Sequence, residues 1–220
     1  MSQSETTFLI CSPAAMTMQP FSLVISRTDM NRLAVIFVEG DTEVDFYKKL
    51  VSYYRNQHGG RLCCRVEIRN VRGVGNYQSK VVRTFRKSII PQYPGYEYHV
   101  ILSYDSDVFE FSRKPQVDLD SVVKELKQSG AVNVEQVKAV RSIEDWFLYD
   151  TEGLRKFLHL PSKFQMKGYS GQKGLEELFR KAKRTYIKGS ACKGLVDALD
   201  MSVIIGRIRP EIQKLEKELI

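Results

Sequence analysis

The chain has 220 residues, 43% of them hydrophobic, and this length and composition suit one domain or one domain with a small addition. No apolar run approaches the roughly 20 residues of a membrane span, and the four cysteines form neither a CxxC pair nor a group with histidine at zinc-ligand spacing. The sequence therefore offers no support for a membrane span, a disulfide framework or a zinc site. Reduced cysteines are typical of a cytosolic protein, so we expect a cytoplasmic location.

The formal net charge of +8 is unevenly distributed. Residues 1–150 hold 19 Lys and Arg and 18 Asp and Glu, whereas residues 151–220 hold 15 and 8, so a nearly neutral part precedes a basic one. A basic surface favours a polyanion such as nucleic acid as the partner. Solvated helix faces explain the charge by itself equally well.

Residues 1–29 differ from the rest of the chain because they contain Ser, Thr and Pro, few charges and no clear period. They lack the basic start and compact apolar core of a secretory signal. We interpret them as a poorly ordered extension or as the result of a start codon assigned too early, since Met30 is an ordinary first residue. A short added strand at FSLVIS is the alternative.

From residue 32 onward, short apolar runs alternate with segments of helical spacing. RLAVIFVEG predicts a fully buried strand, and DTEVDFYKKLVSYYRNQHG predicts the helix that follows it. RLCCRVEIRNVRG predicts the next strand, and NYQSKVVRTFRKSIIPQYPG predicts a helix that stops before Pro91. EYHVILSYDSD predicts a second buried strand, DLDSVVKELKQSG a helix with Asp118 or Asp120 near its cap, and VEQVKAVRSI another strand.

The rest of the chain, from EDWFLYDTEGLRKFLHL onward, predicts a largely helical tail with Trp146 and Phe147 in the core. The alternation of strands and helices predicts βαβ units, and therefore an α/β fold with a mostly parallel sheet covered on both faces. We divide the chain into the extension 1–29, a core of residues 30–150, and a helical basic region of residues 151–220 packed on that core.

Carboxylates follow three of the predicted strands. Glu39 ends the first strand, Asp105 and Asp107 end the second buried strand, and Glu144 and Asp145 follow the last one. Because ligands of parallel sheets bind beyond the carboxyl ends of the strands, we expect these side chains to share one edge and one site. Carboxylate oxygens suit Mg²⁺ or Mn²⁺, and a pair of such ions can hold the attacking and leaving oxygens of a phosphodiester.

Helix capping is the alternative explanation, because acidic residues suit the dipole at the start of a helix. It accounts well for Asp41 and Asp145 but poorly for Glu39, Asp105 and Asp107 taken together.

The start of the first helix adds another acid. Asp41 or Thr42 can cap this helix, and Glu43 then falls in its first turn, four residues after Glu39 and close to it in space.

FVEGDTEVDFY followed by ILSYDSD resembles the Toprim domain, in which Glu-Gly follows the first strand and Asp-x-Asp follows a later one. The likeness covers roughly residues 32–145, and VEGDTEVDFY looks most like the OLD-type nucleases and the stand-alone Toprim proteins of phage-defence loci. The resemblance implies a Toprim-like, Rossmann-type core with a basic helical C-terminal extension. It also implies that the core binds Mg²⁺ or Mn²⁺, possibly two ions, for phosphoryl transfer.

The resemblance also implies roles for individual residues. Glu39 corresponds to the central catalytic acid and Asp105 to the principal ligand, while Glu43, Asp107 and Glu144 complete the metal sites. Glu43 matches the second acid of the OLD-type nucleases. Glu144 lies in SIEDWFLYD, which is similar to a segment after the last core strand of the stand-alone proteins.

The OLD-type nucleases also use a lysine beyond the core to stabilise transition-state charge. YIKGSACKG offers Lys188 and Lys193, of which we prefer Lys188, and a solvent-facing position is the alternative for both. The chain contains no Walker A sequence, and the resemblance implies a regulatory partner protein, an ATPase or another defence component.

Two further features bear on nucleic-acid binding. The predicted helix 171–188 carries basic side chains that can track a phosphate backbone without reading bases, and we assign this role, with Lys193 beyond the helix, to Arg180, Lys181 and Arg184. A charged outer face is the alternative. VRGVGNY, residues 71–77, has two close glycines that would let backbone approach a phosphate, but it lacks GxGxxG and we favour a plain turn.

The leading functional prediction is a Mg²⁺- or Mn²⁺-dependent nuclease that cleaves RNA, such as tRNA, or DNA, as an antiviral defence effector controlled by a partner. The defence role and the partner rest on resemblance alone. Two alternatives stay open: a primase-like nucleotidyltransferase, which needs a nucleotide pocket that the sequence does not locate, and a non-catalytic module that binds nucleic acid or a partner.

Overall fold

The computed structural model describes residues 31–106, 117–188 and 193–220; of Lys193 it describes the backbone only. The predicted extension 1–29 and the predicted ligand Asp107 therefore lie outside the described residues.

Strands and helices alternate along the described chain and then give way to helices. In chain order the elements are β1 (Arg32–Val38), α1 (Asp41–Gln57), β2 (Arg65–Asn70), the helical segment α2 (residues 74–92), β3 (Glu97–Asp105), α3 (Leu119–Gln128), β4 (Ala131–Ala139), α4 (Ile143–Leu148), α5 (Thr151–Phe157), α6 (Gly171–Lys181), α7 (Lys193–Ala198) and α8 (Met201–Leu219).

The four strands form one parallel sheet in the order β2-β1-β3-β4. β1 lies inside the sheet, where Ile36 is in register with Ile68 of β2 and Ile101 of β3. Residues 33–38 of β1 are all buried, as expected for a parallel strand covered on both faces. The prediction of an α/β fold with a parallel sheet is confirmed.

Each face of the sheet has its own hydrophobic cluster, because side chains of β1 alternate between the faces. Ala34, Ile36 and Val38 pack in the cluster that contains residues of α1 and of α4 to α8. Leu33, Val35 and Phe37 pack in the cluster that contains residues of α2 and α3. Residues 151–220 thus share a core with the first helix, and none of the helices described here is long and apolar enough to cross a membrane.

The connections leave the sheet on opposite sides at its centre. The chain that follows β1 forms α1 on one face, whereas α3, which lies between β3 and β4, packs on the other. The carboxyl ends of β1 and β3 therefore lie where the direction of the connections reverses, and this divergence leaves a crevice in open α/β sheets. The fold places Glu39 and Asp105 at that position.

Several predicted boundaries differ from the structure. α2 continues to Gln92 rather than stopping before Pro91, and the turn before this proline, Phe85–Ile89, is π-helical, so the i→i−4 bond that proline disrupts is already replaced there. β4 begins at Ala131 rather than at Val134.

The predicted helix caps were right in one case and wrong in the other. The Asp118 carboxylate accepts a hydrogen bond from the Ser121 N–H at 3.0 Å and caps α3, as predicted. Neither Asp41 nor Thr42 caps α1, because the N-cap is Gly40. The Asp41 carboxylate instead accepts a hydrogen bond from Asn70 Nδ2 at 2.7 Å.

Candidate active site

Asp105, the last residue of β3, connects the elements of the site. It is almost fully buried, and its backbone N–H donates to Glu39 Oε1 at 3.0 Å. Its Oδ1 accepts from the N–H of Ile143 at 3.0 Å, and its Oδ2 lies 2.9 Å from Lys188 Nζ. One aspartate thus joins the end of β1, the start of α4 and the segment that follows α6.

Two tyrosines fix the strands beneath this edge. The Tyr77 hydroxyl of α2 donates to the carbonyl oxygens of Phe37 on β1 and Ser103 on β3. The Tyr47 hydroxyl of α1 lies 2.7 Å from Ser103 Oγ. Burial raises the pKa of both phenols, so they remain neutral and hold the strand ends in place.

Glu144 follows the last strand, as predicted, and lies in the first turn of α4, where it is fully buried. Its Oε1 accepts a hydrogen bond from the Tyr186 hydroxyl at 2.9 Å, and its Oε2 lies 3.8 Å from Lys188 Nζ but accepts no hydrogen bond from any described residue. A buried carboxylate oxygen without a donor is costly, because the water that it has lost is not replaced.

Glu43 lies in the first turn of α1 and is only 6% exposed. Burial is the main cause that raises its pKa from 4.5 to about 8, and the negative charges of Asp105, Glu144 and Glu39 raise it further. Its Oε2 is buried and accepts no hydrogen bond within the described ranges. Burial and neighbouring negative charge therefore both favour the protonated form of this carboxyl group.

Lys188 supplies positive charge to the cluster. Its ammonium group lies between two buried acids, 2.9 Å from Asp105 Oδ2 and 3.8 Å from Glu144 Oε2, while its side chain remains 31% exposed. An ion pair with buried partners is screened by water much less than one on the surface. Lys188 therefore acts as an internal counter-ion of the acidic residues.

An open cleft of about 470 Å³ lies over the acids. Its lining combines residues from the end of β1 and the start of α1 with residues from the end of β2 and one lysine from the segment after α6. These residues are Glu39, Gly40, Asp41, Glu43, Asn70, Arg72, Gly73 and Lys188. A charged ligand of several atoms can enter it from solvent.

The donor chemistry of this site fits a hard divalent cation. Glu43 and Glu144 are buried acids, each with one oxygen that lacks a hydrogen-bond donor among the described residues, and such oxygens are the ligands that Mg²⁺ prefers. With the side chains as they stand, no three His, Cys, Asp or Glu residues in the described part of the chain are arranged around a common point for an ion. A cation would therefore require rotation of side chains, and Glu39 and Glu43 line the open cleft.

The structure brings together five of the residues that the sequence suggested: Glu39, Glu43, Asp105, Glu144 and Lys188. Asp145 is not part of this group, because its Oδ1 accepts from the Gly171 N–H at 2.8 Å and its Oδ2 lies near Ser142 Oγ. Its role is structural, but it does not cap the helix that follows β4 in the way that the capping explanation expected: the N–H that it accepts belongs to the first residue of α6.

The basic residues proposed for nucleic acid lie on and after α6, which ends at Lys181 rather than at residue 188. Arg180 and Lys181 are exposed. Within the described ranges, the only ion pair of Arg180 is a long one, 3.8 Å, with Glu177. The Arg184 guanidinium lies over the ring of Phe157 at 4.3 Å and donates to its carbonyl oxygen, so Arg184 has a packing role.

Two site residues were missed from the sequence. Tyr186 positions Glu144, and the only sequence signal for it was its place two residues before Lys188. Arg72 lies in the segment that we interpreted as a plain turn, yet it lines the cleft. The signal for Arg72 was its place after β2, at the same edge of the sheet as Glu39.

Comparisons of this chain with models of protein families, with curated proteins and with solved structures found no match.

The raised pKa of Glu43 predicts how stability depends on pH in the absence of metal. The pKa of Glu43 is about 8 in the native state, whereas its ordinary value is 4.5. Between these two pH values the native state keeps a proton that the unfolded state has lost. The free energy of unfolding therefore falls as pH rises through this window. We expect Glu43→Gln to reduce this fall and to be the more stable protein at pH 8, by on the order of 3 kcal/mol. Urea unfolding in EDTA at several pH values measures the effect.

Glu97→Gln is the matched control, since Glu97 is exposed at the start of β3. It should follow the parent at every pH. Parallel curves for Glu43→Gln and the parent would contradict the assignment of a buried, protonated Glu43.

Proposed function

We propose that this protein is a Mg²⁺- or Mn²⁺-dependent nuclease with a Toprim-like core, in which the crevice at the ends of β1 and β3 is the active site. The observation that carries the proposal is the convergence of four carboxylates and one lysine at this edge, with Glu43 Oε2 and Glu144 Oε2 buried and without hydrogen bonds from described residues. Helix capping does not account for these two atoms, because a capping oxygen accepts a backbone N–H.

The residues of the chain have distinct roles in this proposal. Glu39, Glu43, Asp105 and Glu144 would hold the metal, with Asp107 added by the resemblance. A bound Mg²⁺ or Mn²⁺ supplies a Lewis acid for the oxygens of a phosphodiester. Tyr186 orients Glu144, and the hydrogen bond from the Asp105 N–H orients Glu39.

Lys188 has two roles. Without metal it compensates the charge of Asp105 and Glu144. Its ammonium also lines the cleft, where it would stabilise negative charge on a phosphate of the substrate. A lysine suits both roles, since its charge lies at the end of a flexible stem.

Nucleic acid is the proposed substrate, and the support for it is the basic region 151–220 together with the open cleft. Arg180 and Lys181 are exposed cations available to a phosphate backbone, and Lys193 belongs to the same proposal. The role in defence and control by a partner such as an ATPase follow from the resemblance, and the cytoplasmic location follows from the cysteine pattern; all three remain part of the proposal.

Glu39→Gln tests the metal site. The Gln oxygen can still accept the Asp105 N–H, so the fold should persist, whereas cleavage of total RNA or plasmid DNA with Mg²⁺ or Mn²⁺ should fall at least about 100-fold. Either metal should raise the melting temperature of the parent by mass action, and the rise should be smaller in the variant. The control is Asp120→Asn, which removes an exposed acid from α3.

A parent whose melting temperature is indifferent to millimolar metal, or a Gln variant that cuts as well as the parent, would remove the support for a metal-dependent nuclease. The non-catalytic binding module would then be the better description of the protein.

Lys188→Met separates the two roles of the lysine. We expect the melting temperature to fall in EDTA, because Asp105 and Glu144 lose their counter-ion. Metal affinity, measured by calorimetry, should be equal or higher because the competing ammonium is gone, while cleavage should fall about 100-fold. Parallel losses of metal affinity and cleavage would indicate a structural role only. Lys163→Met, on an exposed loop, is the control.

The double variant Arg180→Gln, Lys181→Gln tests the basic surface and spares Arg184, whose packing would confuse the result. Binding of single-stranded RNA or DNA should weaken for all sequences, and the slope of log affinity against log salt should fall by about 0.7 for each phosphate that the variant no longer binds. The control is Lys124→Gln, Lys127→Gln on α3, which makes the same change in charge. Equal effects of the two double variants would show that only net charge matters.

A further inference from the structure

The cleft is lined by a positively charged side chain, Arg72, to which the proposed function gives no role. Of the two basic side chains among its described lining residues, Lys188 is held by Asp105, whereas the Arg72 guanidinium forms no ion pair or hydrogen bond with any residue in the described ranges. Arg72 is exposed and lies at the carboxyl end of β2, the strand next to β1. Because this arginine pairs with none of the neighbouring acids in the described ranges, its guanidinium is available to an anionic ligand.

The backbone of Arg72 is tightly held. Its φ of +61° lies in the left-handed region, which costs a residue with a side chain about 1 kcal/mol, so neighbouring contacts must maintain it. Asn70 provides one of these contacts: its Oδ1 accepts from the Arg72 N–H at 2.6 Å, while its Nδ2 donates to Asp41 Oδ1 at 2.7 Å. The Asn76 amide donates to the Arg72 carbonyl oxygen.

The loop between β2 and α2 is also bonded to the end of β1. The Gly73 N–H donates to the carbonyl oxygen of Glu39 at 2.8 Å, and the Val71 N–H donates to that of Val38 at 2.9 Å. Both bonds extend the pairing of β1 with β2 beyond the last residues of the strands. The base of the Arg72 side chain therefore has a defined position relative to the carboxylate that follows β1, although the guanidinium itself reaches solvent.

The chemistry of the cleft selects the kind of ligand. Its carboxylates repel an anion, so a phosphate can be held there only by positive charge. The Lys188 ammonium is paired with Asp105 and is proposed to serve the phosphate at the reacting bond, which leaves the Arg72 guanidinium for a flanking phosphate. Arginine binds phosphate through two parallel N–H···O bonds, which fix the orientation of the phosphate as well as its position.

We propose that Arg72, held by Asn70 in the β2–α2 loop, binds a phosphate of the nucleic-acid strand that flanks the cleaved bond and so sets the register of the strand over Glu39 and Asp105. This inference rests on the proposed nuclease function and adds a substrate-binding residue to it. The segment VRGVGNY is then the substrate-binding wall of the cleft. It approaches phosphate through an arginine side chain rather than through glycine backbone.

The test compares Arg72→Gln, Arg72→Lys and the control Arg83→Gln, which removes an exposed arginine from α2 outside the cleft. The probe is a fluorescent single-stranded oligonucleotide, as RNA and as DNA, with Ca²⁺ in place of Mg²⁺ for binding and with Mg²⁺ or Mn²⁺ for cleavage. We expect Arg72→Gln to weaken binding about tenfold, to lower the salt slope by about 0.7 and to raise KM by a similar factor.

Arg72→Lys should restore the salt slope but only part of the affinity, because a single ammonium cannot make the paired bonds of a guanidinium. Full recovery of oligonucleotide affinity in Arg72→Lys would overturn an oriented phosphate contact. Equal losses of affinity in Arg72→Gln and Arg83→Gln would overturn it as well. The melting temperature of Arg72→Gln in EDTA distinguishes a structural role of Arg72 from a role in binding. A variant that lost only stability would have a lower melting temperature but would keep the KM and the salt slope of the parent.

The two proposals can fail separately. A parent that cleaves RNA or DNA, combined with an Arg72→Gln variant of unchanged KM, overturns the phosphate contact and leaves the nuclease intact. A parent that cleaves nothing but binds the oligonucleotide through Arg72 overturns the nuclease and leaves the phosphate contact standing.

Discussion

The hydrogen bond from the Asp105 N–H to the Glu39 carboxylate joins the ends of the two inner strands and brings the two acids together. It exists because β1 and β3 are parallel neighbours whose following chains diverge to opposite faces of the sheet. The divergence leaves a crevice at the strand ends, which is lined by charged groups rather than closed by apolar packing. Every other residue of the site is placed relative to this pair.

Concentrating acids at a buried edge makes the site unfavourable by itself. Burial and mutual repulsion act together on Glu43, and both favour its protonated form. The fold offsets the charge of the Asp105 carboxylate with the Ile143 N–H and the Lys188 ammonium, but it leaves single oxygens of Glu43 and Glu144 without hydrogen bonds from described residues. Incomplete compensation of this kind is expected where a cation is to bind, because a carboxylate oxygen without a hydrogen bond has its lone pairs available for a metal ion.

The segment between α6 and α7 makes the site depend on the C-terminal region. Tyr186 and Lys188 both contact Glu144, so residues beyond the sheet complete a site that begins at β1. The same C-terminal region also contributes to the core beneath, where Leu175, Leu178 and Ile208 pack with residues of α1. A change in the helices of residues 151–220 would therefore reach the carboxylates through two side chains of one short segment.

The sequence by itself determined the strands, their parallel arrangement and the edge at which the acids meet. Buried parallel strands are continuous apolar runs, such as Leu33–Val38, and the residues that follow them must share one edge of the sheet. The ends of elements were less predictable. α2 contains π-helical turns and continues past Pro91, and the Asp41 carboxylate accepts a hydrogen bond from Asn70 instead of capping α1. These outcomes depend on contacts with distant residues, which local patterns do not encode.

Only the tertiary structure decided which basic residues belong to the site. The resemblance favoured Lys188 over Lys193, but the local sequence does not show what it contacts: Lys188 reaches Asp105 across 83 positions of the chain. Arg72 looked like part of a turn until the pairing of β2 with β1 placed it beside Glu39. The raised pKa of Glu43 likewise requires burial and three neighbouring charges from separate elements. Sequence spacing reports which residues share an element, whereas electrostatic coupling depends on distance and dielectric in three dimensions.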